Sequence, residues 1–144
     1  MVFPLVIGLL LVVGFVGLIL PLFRSSGVVR AEITGETPAV ARVGEQTPLD
    51  LAIDNTGDAL IRPICLLAHF DRAVEVASVV FQGLDRVGFR DGRACGGQLS
   101  GGEPINVRVV VVPRATGVVA ITLAAGRGAQ PIGPVVHRSM TVGP

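Results

Sequence analysis

No lysine, tryptophan or tyrosine occurs in this chain, and charge of either sign is scarce. Charged residues make up 16% of the sequence, against about 25% in ordinary soluble domains. The shortage is local. Residues 1–23 carry no charged side chain, so the 12 arginines and 11 acidic residues all lie beyond them. Net charge is +1 with the signs mixed. That excludes nucleic acid as a partner, because such binding needs a basic stripe to displace counterions. Without Trp or Tyr, a carbohydrate-binding face built on aromatic platforms is disfavoured. Hydrophobic residues make up 50% of the chain, far too many for a disordered tail.

The charge-free stretch MVFPLVIGLLLVVGFVGLILPLF predicts a membrane helix. At 1.5 Å per residue it would span about 34 Å, enough to cross a hydrocarbon core of about 30 Å. Pro4 falls in the first turn, where a missing N–H costs nothing. Pro21 falls near the far end, where a helix can bend or stop. A cleaved signal peptide fits less well: there is no basic n-region, the apolar run is too long and no A-x-A site follows. Cys65 and Cys95 lie too far downstream for a lipobox. The expected organisation is a transmembrane anchor over 1–23, a linker over 24–30 and a folded domain over 31–144. With no His, Asp, Glu or Asn in the apolar run, the helix could anchor and pack. It could not hold a pigment through an imidazole or relay protons.

Orientation has arguments on both sides. Arg24, Arg30 and Arg42 follow the apolar run, which would put the domain in the cytoplasm by the positive-inside rule. Long domains cross largely regardless of charge, and two cysteines favour an oxidising compartment. The expectation is a single-pass inner-membrane protein with a periplasmic or otherwise extracytoplasmic domain.

Beyond Val28 the chain reads as short apolar runs separated by turn chemistry. Strands are expected at Val28–Ile33, Thr37–Val43, Leu49–Asn55, Ile61–Phe70, Val74–Val80, Arg86–Arg90, Ile105–Val112, Val118–Ala124 and Val135–Val142. Leu49, Leu51 and Ile53 alternate with Asp50, Ala52 and Asp54, as in a strand with one wet face. The run from Ile105 starts half-wet and ends buried. Asn55-Thr56-Gly57-Asp58 and Ala115-Thr116-Gly117 are expected to join adjacent antiparallel strands, with Asn55 and Gly57 supplying left-handed backbone. Such spacing indicates an antiparallel sandwich.

The stretch Val43-Gly44-Glu45-Gln46-Thr47-Pro48-Leu49-Asp50-Leu51-Ala52-Ile53-Asp54-Asn55-Thr56-Gly57-Asp58 resembles bacterial and archaeal immunoglobulin-like domains of the CARDB-like group. Gly101-Gly102-Glu103-Pro104-Ile105-Asn106-Val107, followed by Gly117-Val118-Val119-Ala120-Ile121, resembles their later strand start and hairpin. The resemblance covers about Ala31 to Val142. It implies an all-β immunoglobulin-like antiparallel sandwich, here preceded by one transmembrane α-helix. The antibody-like subgroup is not supported, since its core tryptophan is missing. Domains of this group serve as stalks, adaptors and interaction modules on membrane-anchored proteins.

Residues able to do chemistry are few. Cys65 sits in an apolar strand and Cys95 among glycines. A disulfide between them would stabilise by about 3–4 kcal/mol; the other reading is two unrelated thiols, Cys65 being a small buried hydrophobe. His69 and His137 read as structural or exposed histidines. Asp50, Asp54 and Asp58 recur every four residues, which makes a calcium site conceivable and a solvated strand face the simpler account. Gly126-Arg127-Gly128 lacks the Lys-Ser/Thr and helix of a phosphate loop, and no G-x-S-x-G elbow occurs. No catalytic, metal or cofactor-binding residue is therefore expected, and no small-molecule substrate.

The function expected from these features is a non-catalytic accessory or scaffold subunit of a bacterial membrane protein complex. A photosynthetic reaction-centre–antenna or a respiratory complex would be such a setting. The partners would be other membrane protein subunits and the lipid bilayer. The alternative is a free membrane-anchored adhesion or periplasmic adaptor module. Arginine as the only strong base suits an interface, because its planar fork pairs with carboxylates and stacks.

Overall fold

The computed structural model describes residues 27–84 and 86–144. The expected anchor over 1–23, and the first part of the linker, lie outside the described residues. Among the described residues no helix is long and apolar enough to cross a membrane.

The described chain forms strands throughout. They are β1 (Ala31–Glu36), β2 (Val40–Arg42), β3 (Thr47–Asn55), β4 (Ile64–Phe70), β5 (Val74–Phe81), β6 (Arg86–Val87), β7 (Phe89–Arg90), β8 (Arg93–Gly96), β9 (Pro104–Pro113), β10 (Gly117–Arg127), β11 (Gln130–Pro131) and β12 (Val136–Gly143). One sheet has the order β1-β3-β9-β5-β6. The other has the order β2-β12-β10-β4-β8-β7, with β11 paired to β10. The two sheets form a β-sandwich, and all pairings are antiparallel except β2 with β12.

Period-two patterning builds the core. On β3, Leu49, Leu51 and Ile53 are buried while Asp50 is exposed and Asp54 half-buried. On β9, Ile105, Val107 and Val109 are buried between exposed Asn106 and Arg108, and Val111, Val112 and Pro113 are then all buried. The change from half-wet to dry follows the sequence. Phe81, Leu49, Ile53, Ile61, Ile64, Leu66, Ile121 and Met140 are the largest fully buried side chains, each worth about 1.5–3 kcal/mol of burial.

Several expected boundaries move. The first strand begins at Ala31 rather than Val28, because the Gly27–Arg30 strap bonds instead to the β3–β4 connection. Only Val40–Arg42 of the second run is strand. The fourth begins at Ile64, after a cis Arg62–Pro63 peptide, and Ile61 makes a separate bridge to Leu99. The run 86–90 is broken at Gly88, so β6 joins one sheet and β7 the other. β8 was not expected at all. Its Gly- and Arg-rich sequence has little strand character of its own, and pairing with β4 makes it a strand.

Both expected hairpin turns are corrected. The Asn55–Asp58 segment leads from β3 in one sheet to β4 in the other, and Ala115–Gly117 leads from β9 to β10 in the same sense. They are corners of the sandwich. Gly117 does adopt a positive φ of 121°, whereas Asn55 and Gly57 are not among the positive-φ residues. Asn55 is instead buried at 1% exposure.

Candidate functional site

The two outer faces of the sandwich differ in charge. On the β1-β3-β9-β5 sheet, the register lines up Glu36, Asp50, Arg108 and Val80 across the four strands. Thr34, Ala52 and Asn106 form the next row, and Glu32 and Asp54 the one after. Arg108 Nε donates to Asp50 Oδ1 at 2.7 Å, Arg30 Nη2 to Glu32 Oε1 at 3.0 Å, and Thr34 Oγ1 to Asp54 Oδ2 at 3.1 Å. The hydrogen bond that Arg108 donates to Asp50, and then the carboxylate's charge, hold the guanidinium above its ordinary pKa. Both partners are more than 60% exposed, so water screens most of their attraction. A shallow concavity of about 480 Å³ over Asp50, Ala52, Asn106 and Arg108 is open and polar-rimmed. This is a solvated face.

The every-fourth-residue aspartates do not converge. Asp50 pairs with Arg108, Asp54 with Thr34, and Asp58 accepts from the backbone N–H of Val28 at a corner. Among the described residues no group of three or more His, Cys, Asp or Glu side chains could hold a metal.

The outer face of the other sheet is built differently. Along β10, Val119, Ile121, Leu123 and Ala125 are buried, so Val118, Ala120, Thr122 and Ala124 turn outward. Their neighbours across β12 are Thr141 beside Val118, Ser139 beside Ala120 and His137 beside Thr122. Across β4, His69 lies beside Thr122 and Leu67 beside Ala124. Val40 of β2 extends the first row past Thr141. None of the residues named in these rows is Asp, Glu or Arg. Charges sit at the rim: Asp91 and Arg93 beyond β4, and Asp71 and Arg72 at the β4–β5 connection. Even these rim groups are tied to backbone, with Asp71 Oδ1 accepting from Ala120 N at 2.8 Å and Arg72 Nε donating to Val118 O at 3.0 Å. A groove of about 370 Å³ opens at one end of this face, floored by Leu67 and Ala124 and walled by His69, Arg93, Pro131 and Val135. The centre of this face is thus uncharged and part apolar, part hydroxyl and imidazole, with the charges at its rim.

The register also brings the two histidines together. His69 and His137 flank Thr122 from opposite sides on one face, about 10 Å apart at Cα, twice the strand spacing. Both are exposed. Linear spacing gives no hint of this, because the shared neighbour lies on a third strand. Neither imidazole hydrogen-bonds to a carboxylate among the described residues, so no acid–base pair is assembled around Thr122.

Cys65 on β4 and Cys95 on β8 are directly opposed, with Cα atoms 4.0 Å apart and Sγ atoms 2.11 Å apart. The unforeseen strand β8 carries this juxtaposition.

No protein-family model matches the chain, and no curated protein matches it. Solved structures do. A cohesin module from a Clostridium perfringens family 33 glycoside hydrolase superposes with a TM-score of 0.59 at 15% identity, covering 79% of this chain and 97% of that one. A CARDB domain from Pyrococcus furiosus, in complex with di-metal ions, gives 0.50 at 12% identity over 83% and 90%. The fold is a CARDB-like β-sandwich. The same sandwich also matches AvmM, which catalyses macrocyclization in alchivemycin A biosynthesis, with a TM-score of 0.57 at 14% identity over 81% and 89%. The CARDB-like fold is thus shared by proteins with unrelated roles, and at these identities it carries no activity with it.

Proposed function

We propose that the chain is a non-catalytic accessory subunit of a bacterial membrane protein complex, held by its apolar segment 1–23. In this reading the sandwich docks a partner subunit through the outer face of the β2-β12-β10-β4-β8-β7 sheet. The carrying observation is the contrast between the two faces. One is studded with Glu32, Glu36, Asp50, Asp54 and Arg108, whereas the centre of the other carries Val118, Ala120, Thr122, Ser139 and Thr141. Solvated charges suit water, whereas the core of a protein interface is depleted of charged side chains. The non-catalytic reading is supported by side chains, since neither histidine is oriented by a carboxylate and no nucleophile elbow occurs. The CARDB and cohesin likenesses are compatible with an interaction module.

Gentle detergent extraction followed by mass spectrometry of co-purifying subunits tests the proposal. A defined set of membrane subunits at fixed stoichiometry is the expected result. A chain that migrates alone overturns it in favour of a free membrane-anchored adhesion or adaptor module. Whether the assembly is photosynthetic or respiratory is read from the same subunit list, because no residue of the sandwich singles out either.

A further inference from the structure

A second apolar surface lies at one end of the sandwich, away from the docking face. Val28 is 62% exposed and Leu60 52%. They belong to two segments that the backbone ties together. The carbonyl of Val28 accepts from Asp58 N at 3.1 Å and Ala59 N at 3.2 Å, and the carbonyl of Arg30 accepts from Thr56 N at 3.0 Å and Gly57 N at 3.1 Å. The Ser100–Glu103 turn closes in from the side, with Gly101 against the backbone of Asp58. Two fixed aliphatic side chains therefore project from the end of the domain where the described chain begins.

The charges at this end are unequal in availability. Asp58 accepts from Val28 N, and Glu103 Oε2 accepts from Ser100 N at 3.3 Å. Arg30 is paired with Glu32. Arg62, exposed and next to Ile61 at the same end, forms no ion pair among the described residues. The available charge is a guanidinium, whose planar fork suits phosphate.

We propose that this end of the sandwich rests on the lipid surface, with Val28 and Leu60 in the interfacial layer and Arg62 on a headgroup phosphate. The inference rests on the reading of residues 1–23 as a membrane anchor. Only Arg24, Ser25 and Ser26 separate Phe23 from Gly27. Five peptide units fully extended reach about 18 Å, so Val28 cannot stand further than that from the end of the apolar run. The headgroup region itself fills about 5–8 Å of that distance. The other strongly exposed aliphatic pair, Val40 and Val118, lies at the opposite end on the docking face. The two apolar surfaces thus have different occupants: lipid for Val28 and Leu60, protein for the β10 face.

The chain contains no tryptophan, so one introduced indole reports alone. Full-length Leu60→Trp and Gln46→Trp proteins are reconstituted into phosphatidylcholine–phosphatidylglycerol vesicles containing acyl-brominated lipid. Gln46 precedes β3 and Leu60 follows it, so the nine residues of that strand separate the two probes. Leu60→Trp is expected to be quenched at least twofold more than Gln46→Trp, with blue-shifted emission. Adding Arg62→Glu is expected to bring its quenching down to the Gln46→Trp level. Gln98→Trp, exposed near the Ile61–Leu99 bridge, gives a second reading from the same end should Leu60→Trp misfold. Equal quenching at both ends, in protein that resists alkaline extraction, overturns the lipid-facing end and leaves the anchor standing. Release of the chain by alkaline carbonate overturns the anchor, and this inference with it.

Discussion

Asn55 donates its side-chain amide to the carbonyl of Leu99 at 3.0 Å, bridging 44 residues of sequence at one end of the sandwich. The same Nδ2 donates to Ala59 O at 2.8 Å, and Oδ1 accepts from Gly57 N at 3.0 Å. One buried amide thus closes the β3–β4 corner and ties it to the β8–β9 connection. Asn55→Ala leaves the half-buried Ala59 carbonyl without this partner and removes the bridge to Leu99, while Leu99 O keeps its bond from Ile61 N and Gly57 N its bond to Arg30 O. The expected loss is about 1–3 kcal/mol, read as a lower midpoint in urea unfolding. Asn55→Asp should cost a similar amount, because a carboxylate cannot donate to either carbonyl. A midpoint unchanged in both variants would remove Asn55 from this role.

Gly57 is constrained by space, not by backbone angle. A Cβ built there would stand 2.0 Å from Val28 O and 2.9 Å from Val28 C. Backbone cannot give way as a side chain can. Gly57→Val is expected to destabilise by about 2 kcal/mol or more and to detach the Gly27–Arg30 strap. Gly57→Asn discriminates the cause. Asparagine tolerates a left-handed backbone, so it would be accepted at a positive-φ position, and here its Cβ should be as harmful as that of valine. Equal stability of Gly57→Asn and the parent would restore the turn-angle explanation.

How far the sequence could be read depends on which force fixes each residue. Alternation on β3 and β9 is visible because each side chain is sorted by one sheet face, and Leu49 to Ile53 and Ile105 to Val111 fall as their pattern requires. The connections were misjudged because turn residues announce a change of direction without saying which sheet receives the next strand. Asn55 and Gly57 look the same in a hairpin as at a corner. β8 was invisible because Arg93-Ala94-Cys95-Gly96 takes its conformation from β4. The candidate face was likewise hidden. Thr122, His137 and His69 become neighbours only through the registers of β10 with β12 and with β4, the last of which lies far away in sequence.

The docking face can be tested by charge. Ala120 points outward and is exposed at the centre of the uncharged rows. Ala120→Arg adds a long cation there without touching the core, so the melting temperature should move little. Loss of the co-purifying subunits is expected, because the added guanidinium would have to be desolvated in the interface and the adjacent Asp71 carboxylate is already engaged by Ala120 N. Asn106→Arg, on the opposite and already charged face, is expected to leave co-purification intact. Loss of partners with Asn106→Arg and retention with Ala120→Arg would reassign the interface to the β3–β9 face.

The opposed cysteines link the fold to its compartment. Cys65 and Cys95 face each other in the β4–β8 register, with Cα atoms 4.0 Å apart, closer than the usual disulfide span of about 4.4–6.8 Å and within bridging reach. β8 is short, glycine-flanked and supplies only Ala94 as a fully buried side chain, so burial alone fixes it weakly. A covalent tie across 30 residues would hold this strand on the sheet, adding about 3–4 kcal/mol in the chain-entropy account. Such bonds persist in oxidising compartments and are reduced in the cytosol. Protein taken directly from membranes and alkylated before reduction is therefore expected to show no labelled thiol, with an intact mass two hydrogens below the reduced form. Cys95→Ser should then lower stability and loosen β8, read as faster amide exchange at Arg93–Gly96 and little change on β3. Two alkylated thiols in the native chain would defeat the bond. They would also turn the placement of the domain towards the cytoplasm, in line with the arginines that follow the apolar segment.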